Sequence, residues 1–70
     1  EFLLQVDFPP QLLAKLPEEK QASAIGVLRH DPRPSYQRDP DRVYGLAFAG
    51  FDIRFRVQED LLSVIDVAPL

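Results

Sequence analysis

Prolines at positions 9, 10, 17 and 32 leave the first half of this chain one interval long enough for a helix of several turns, the residues between Pro17 and Pro32. A proline supplies no backbone N–H and steers the residue before it away from the helical region, so no helix runs through these positions. Outside the interval the apolar residues change period. Phe2, Leu4, Val6 and Phe8 alternate with Leu3, Gln5 and Asp7, and Phe51, Ile53, Phe55 and Val57 alternate with Asp52, Arg54 and Arg56. A period of two marks a strand with one buried face. Strands are therefore predicted near both ends, with helices between them.

Each predicted element has its own boundary signals. Pro9-Pro10 ends the first strand, because proline has no donor for a ladder. Leu12, Leu13 and Leu16 sit at helical intervals, and Pro17 limits that piece to about two turns. Pro17 suits the first position of a second helix, with Glu18 and Glu19 where the dipole favours negative charge and Arg29 and His30 at the carbonyl end. The stripe of that helix is read as Ala22, Ile25 and Leu28, with Ala24 and Val27 alongside. Gly26 costs about 1 kcal/mol relative to alanine, so close packing is expected around it. Residues 31–41 form a polar, proline-rich connection with Asp-Pro steps at Asp31 and Asp39. Arg42 to Ala49 reads as a strand broken at Gly50, and Gln58-Glu59-Asp60 as a turn. The last strand, Leu61 to Val67, is expected to face the helices with Ile65 and Val67 and to turn Leu62, Val64 and Asp66 outward. The predicted fold class is α+β in the order β-α-α-β-β-β, a short helical hairpin packed on one face of an antiparallel sheet, in a single domain over residues 1–70.

A chain of 70 residues has room for one core and buries only roughly 60% of the surface its unfolded form exposes. It has no cysteine, which excludes a disulfide framework or thiolate metal site and fits a cytoplasmic setting. Its single histidine, His30, excludes a His-rich metal cluster, and no cofactor motif is present. No apolar run approaches the roughly 20 residues of a membrane span. With no methionine in the chain, an initiator is expected to have been removed, disordered or left out, and Phe2 is read as part of the alternating run rather than as a remnant. The formal net charge of −3 is unevenly spread: four acids and two bases in residues 1–28, six bases and four acids in 29–56, three acids and no base in 57–70. An anion-binding surface must therefore use the middle, and overall acidity argues against tight non-specific nucleic-acid binding.

Two bases in that middle stretch share a strand face. Arg54 and Arg56 are spaced to grip an anion or an acidic partner together, or to pair with Asp52 or Asp66 as a solvated surface. Arg42 and Tyr44 are expected to extend the same patch from the preceding strand. His30 either caps the helix or moves protons near neutral pH. Tyr36 either stacks on a base or partner or covers the core. Leu62 and Val64, on the outer face, are expected to be covered by a second copy or a partner. The carboxylate pairs Glu18-Glu19, Glu59-Asp60 and Asp39 with Asp41 are explained by helix starts and turns, and no metal site is expected.

Leu13-Ala-Lys-Leu-Pro17-Glu-Glu, the helix closing on Leu28-Arg-His-Asp-Pro-Arg-Pro34, and Ala49-Gly-Phe-Asp-Ile-Arg-Phe-Arg-Val57 followed by Leu61 to Val67 together resemble the RelE/ParE superfamily of bacterial toxin-antitoxin modules. The resemblance implies a helical hairpin on an antiparallel sheet and binding to a cognate antitoxin or to itself as a homodimer. Where that family carries a motif arginine and a tyrosine, this chain has Asp52 and Phe55, and it ends Asp66-Val-Ala-Pro-Leu70 without a base. The expectation is therefore protein–protein binding without catalysis. The alternatives are a ribosome-dependent messenger-RNA endoribonuclease using Arg42, Arg54 and Arg56 with His30 or Tyr44, a gyrase-directed member, and a stand-alone dimeric binding module.

Overall fold

The computed structural model describes residues 3–34 and 39–70. Six elements follow one another: β1 (Gln5–Asp7), α1 (Pro10–Leu13), α2 (Glu18–Arg29), β2 (Tyr44–Phe48), β3 (Phe51–Gln58) and β4 (Leu61–Pro69). The two helices pack against one face of a four-stranded sheet of order β1-β4-β3-β2. The α+β class and the element order are as the sequence reading has them.

The sheet is mixed rather than purely antiparallel. β2 and β3, and β3 and β4, pair antiparallel, but β1 lies parallel to β4 with Val6 opposite Leu62. The helical crossover accounts for this. It lets β2 leave in the direction of β1, and two successive reversals then align β4 with β1. The Leu4 N–H donates to the Arg29 carbonyl at 2.9 Å, tying the chain just before β1 to the end of α2.

Several elements are shorter than expected. β1 is confined to Gln5–Asp7, although Leu4 before it is buried, and α1 is a single turn starting at Pro10. Pro17 caps α2 rather than opening it, with Glu18 and Glu19 in the first turn. α2 buries Ala24 and Leu28, one turn apart, while Ala22 and Val27 are exposed and Ile25 is half-buried, so the buried stripe is narrower than the sequence suggests. Gly26 is not closely packed: a Cβ there would meet nothing within 4 Å.

The core lies between the helices and the inner sheet face, with Phe55, Leu28, Ile53, Leu62, Val57 and Val67 at its centre. β3 obeys strict alternation, burying Ile53, Phe55 and Val57 and exposing Arg54, Arg56 and Gln58. β4 does not. Arg54 is opposite Asp66 and Phe55 is opposite Val64, so Ile65 is an extra residue without a partner, a β-bulge. The bulge reverses the facing expected upstream of it. Leu62 (0% exposed) and Val64 (3%) point into the core beside Val67, and Ile65 (43%) points to solvent. Lys15 Nζ donates to the Val67 carbonyl at 3.2 Å, satisfying part of the β4 edge that the short β1 leaves unpaired.

Candidate functional site

The outer sheet face, opposite the helices, carries the exposed side chains of β3. Arg54 is opposite Gly45 on β2 and Asp66 on β4, and Arg56 is opposite Ser63. Alternate residues of a strand lie about 6.6 Å apart on one face, so the two guanidinium groups form a short row. Small neighbours leave them standing clear: Gly45 and Ala47 on β2, Ser63 and Ala68 on β4. Arg54 Nε donates to Asp52 Oδ2 at 2.9 Å, and its side chain remains 57% exposed. That hydrogen bond, then the carboxylate charge, raises the Arg54 pKa above the ordinary arginine value. Among the described residues Arg56 has no hydrogen-bond or ion-pair partner. The row thus offers the Nη groups of Arg54 and a whole guanidinium at Arg56, donors whose geometry suits phosphate or carboxylate oxygens.

A second polar cluster closes the connection between α2 and β2. Asp31 follows the helix in the left-handed region, with φ of 58°, and its N–H donates to the Leu28 carbonyl at 3.2 Å. Its carboxylate accepts Arg33 Nε at 2.8 Å and Nη2 at 2.9 Å. The Arg33 side chain is only 9% exposed, and its hydrogen bond to the Asp31 carboxylate lifts its pKa against the cost of burial. At the other end of the connection the Asp39 N–H donates to the Tyr44 hydroxyl at 3.2 Å. The Tyr44 ring stacks on Phe55 with centroids 5.7 Å apart, and the Arg42 guanidinium lies 5.7 Å from the same ring centre.

These placements revise the site expected from sequence. Arg54 and Arg56 do share the outer face. Tyr44 does not join them: strand alternation turns it to the core, where it is buried opposite Phe55, and Arg42 goes with its ring. Leu62 and Val64 are core residues, because the bulge moves them off the face a partner would touch. His30 is the C-cap of α2, its N–H directed at the Val27 carbonyl at 3.2 Å, in the helical layer across the sheet from Arg54. Tyr36 lies outside the described residues. The Asp31–Arg33 clamp was missed, although the Asp-x-Arg spacing beside two prolines could have signalled it. Among the described residues no group of three or more His, Cys, Asp or Glu side chains converges to hold a metal. An open depression lined by Gln5, Pro40, Gln58, Glu59, Asp60 and Leu61 has acids and no base in its wall, so it repels anions. No helix among the described residues is long and apolar enough to cross a membrane.

Comparison with known proteins settles the lineage. The family described as the TrmO C-terminal domain matches residues 1–70. The solved structure of TrmO from P. aeruginosa is similar to this chain with a TM-score of 0.68 and 26% sequence identity, over 97% of this chain and 34% of that one. The chain thus spans about a third of the length of the structure it matches. No curated protein matches it. These findings overturn the RelE/ParE likeness, and with it the toxin-antitoxin role and the endoribonuclease alternative. The likeness arose because short motifs of common residues, set in a β-α-α-β-β-β order, satisfy the same packing rules in unrelated proteins. The chain belongs to the TrmO C-terminal domain family.

Proposed function

We propose that this domain is the RNA-holding part of a TrmO-type tRNA-modification enzyme, and that it binds the phosphate backbone on its outer sheet face. The observation that carries the reading is the row of Arg54 and Arg56, exposed among small residues on a face that neither described helix covers, with donors to spare. Phosphate contacts of this kind position a nucleic acid without reading its sequence. The acids at Glu59 and Asp60 near one end of the face, and Asp66 opposite Arg54, limit the row to few phosphates. The domain then contributes affinity and orientation, and any modification chemistry belongs to the remainder of such an enzyme.

The test is binding of total bacterial tRNA by fluorescence anisotropy across a salt series. Two phosphate contacts give a slope of log K against log salt of about −1.4 to −1.8. Replacing Arg54 or Arg56 by alanine weakens binding by roughly fivefold each, about 1 kcal/mol, and flattens the slope by about 0.7 to 0.9. Binding that ignores both substitutions contradicts the reading.

We also propose, on a separate observation, self-association along β2. This edge strand runs Tyr44–Phe48 without a charge or a proline, and the helices lie over β1 and β4 rather than over it, leaving Leu46 and Phe48 half-buried. An uncharged edge of this kind pairs readily with its own copy about a two-fold axis. The expected sedimentation result is a dimer that Ala47→Lys dissociates, and a monomer at all concentrations excludes self-association.

A further inference from the structure

Arg54 and Arg56 look equivalent along the strand but are built differently. Arg56 is a lone guanidinium, whereas Arg54 is held through Nε by Asp52, two residues back on the same face. The other carboxylate oxygen of Asp52 lies over Gly45: a Cβ at position 45 would come within 3.0 Å of Oδ1. That is tighter than ordinary van der Waals contact, so a side chain at residue 45 would press on the carboxylate and displace it by a few tenths of an ångström. Neither feature is explained by stability. An exposed ion pair contributes little, and a glycine within a strand weakens it. Electrostatics alone also disfavours the arrangement, since a carboxylate beside a phosphate-binding arginine repels the ligand.

We propose that Gly45, Asp52 and Arg54 form one phosphate-gripping unit, in which Asp52 is a positioning residue that holds Arg54 by Nε and so presents both Nη groups to a phosphodiester. The proposal rests on the RNA reading above. A free arginine loses much rotamer freedom when it grips an oxyanion, and an arginine already fixed by its inner nitrogen loses less. Nε and the two Nη groups lie in one plane, so engaging Nε leaves the far edge of the fork intact for bidentate contact. Arg56 supplies the neighbouring charge without directional constraint. The face therefore treats two adjacent phosphates differently, one oriented and one merely attracted.

Asp52→Ala gives opposite signs under the two views. Removing a negative charge from an anion site strengthens binding if Asp52 only repels, and weakens it if Asp52 positions Arg54. Dissociation constants are measured for total bacterial tRNA and for a short oligouridylate, with the wild-type protein and with Arg54→Ala, Asp52→Ala, Gly45→Ala and the double variant Asp52→Ala/Arg54→Ala. Positioning predicts that Asp52→Ala and Gly45→Ala each weaken binding by about threefold or more, and that the double variant is no weaker than Arg54→Ala alone, the non-additivity of residues acting as a unit. Gly45→Ala changes no charge, so it leaves the salt slope unchanged while affinity falls, a result that a change in net charge cannot mimic. Thermal melting of Gly45→Ala at or above the wild-type midpoint shows that the fold is intact. Tighter or equal binding by Asp52→Ala, with Arg54→Ala still weak, overturns the positioning role and leaves the RNA reading standing. Absence of tRNA binding by the wild-type protein overturns both.

Discussion

Ala49 and Gly50 join β2 to β3 with φ of 54° and 81°, both in the region that a type I′ turn requires of its central residues. Gly50 adopts it freely, but alanine is strained there by about 1 kcal/mol. Ala49→Asn is expected to stabilise the domain by roughly 0.5–1 kcal/mol, read as a higher urea midpoint with an unchanged slope. Gly26 is the complementary case, a helical glycine with open space around its Cα. Gly26→Ala should also stabilise by roughly 0.5–1 kcal/mol, and a loss would mean that the helix packs more tightly there than the structure shows. Arg33 is the opposite case. Its fork is spent on Asp31 in a nearly enclosed position, and Arg33→Ala removes charge-assisted hydrogen bonds at a cost of about 1–3 kcal/mol, with Arg33→Lys only partly restoring them.

At the scale of elements, β3 and β4 show what a sequence can and cannot disclose. The Phe51–Val57 alternation was legible because strict period two has one physical solution beside a core, and it correctly put Arg54 and Arg56 outside. β4 was misread because a bulge is an extra residue, and no feature of Leu61 to Val67 marks which residue is extra; the pairing of Phe55 with Val64 decides it. The parallel pairing of β1 was hidden for a similar reason: it depends on where the crossover delivers β2, and local pattern is silent on that. The candidate site was half legible. Two arginines on one face follow from spacing alone, whereas the seat that Gly45 offers Asp52 exists only once β2 is registered against β3. The bulge makes a ranked prediction. Val64→Ala should cost about 2 kcal/mol and Ile65→Ala less than about 0.5 kcal/mol in thermal or urea unfolding. The reverse order would restore regular alternation through β4.

The whole molecule combines an acidic net charge of −3 with one short basic row, and a helical layer on one face of the sheet with solvent on the other. A core this small gives a thin margin. Phe55, fully buried and stacked on Tyr44, ties β3 to β2, and Phe55→Ala at about 3–5 kcal/mol should consume most of it. Function is assigned to the face that folding leaves unused, because the helices cover the other. The most direct measurement of that division is an amide chemical-shift map of the labelled protein titrated with total bacterial tRNA. Shifts concentrated on Gly45, Asp52, Arg54, Arg56 and Ser63, with α2 and His30 undisturbed, are the predicted result. Shifts centred on α2 and His30, with β3 silent, would contradict it.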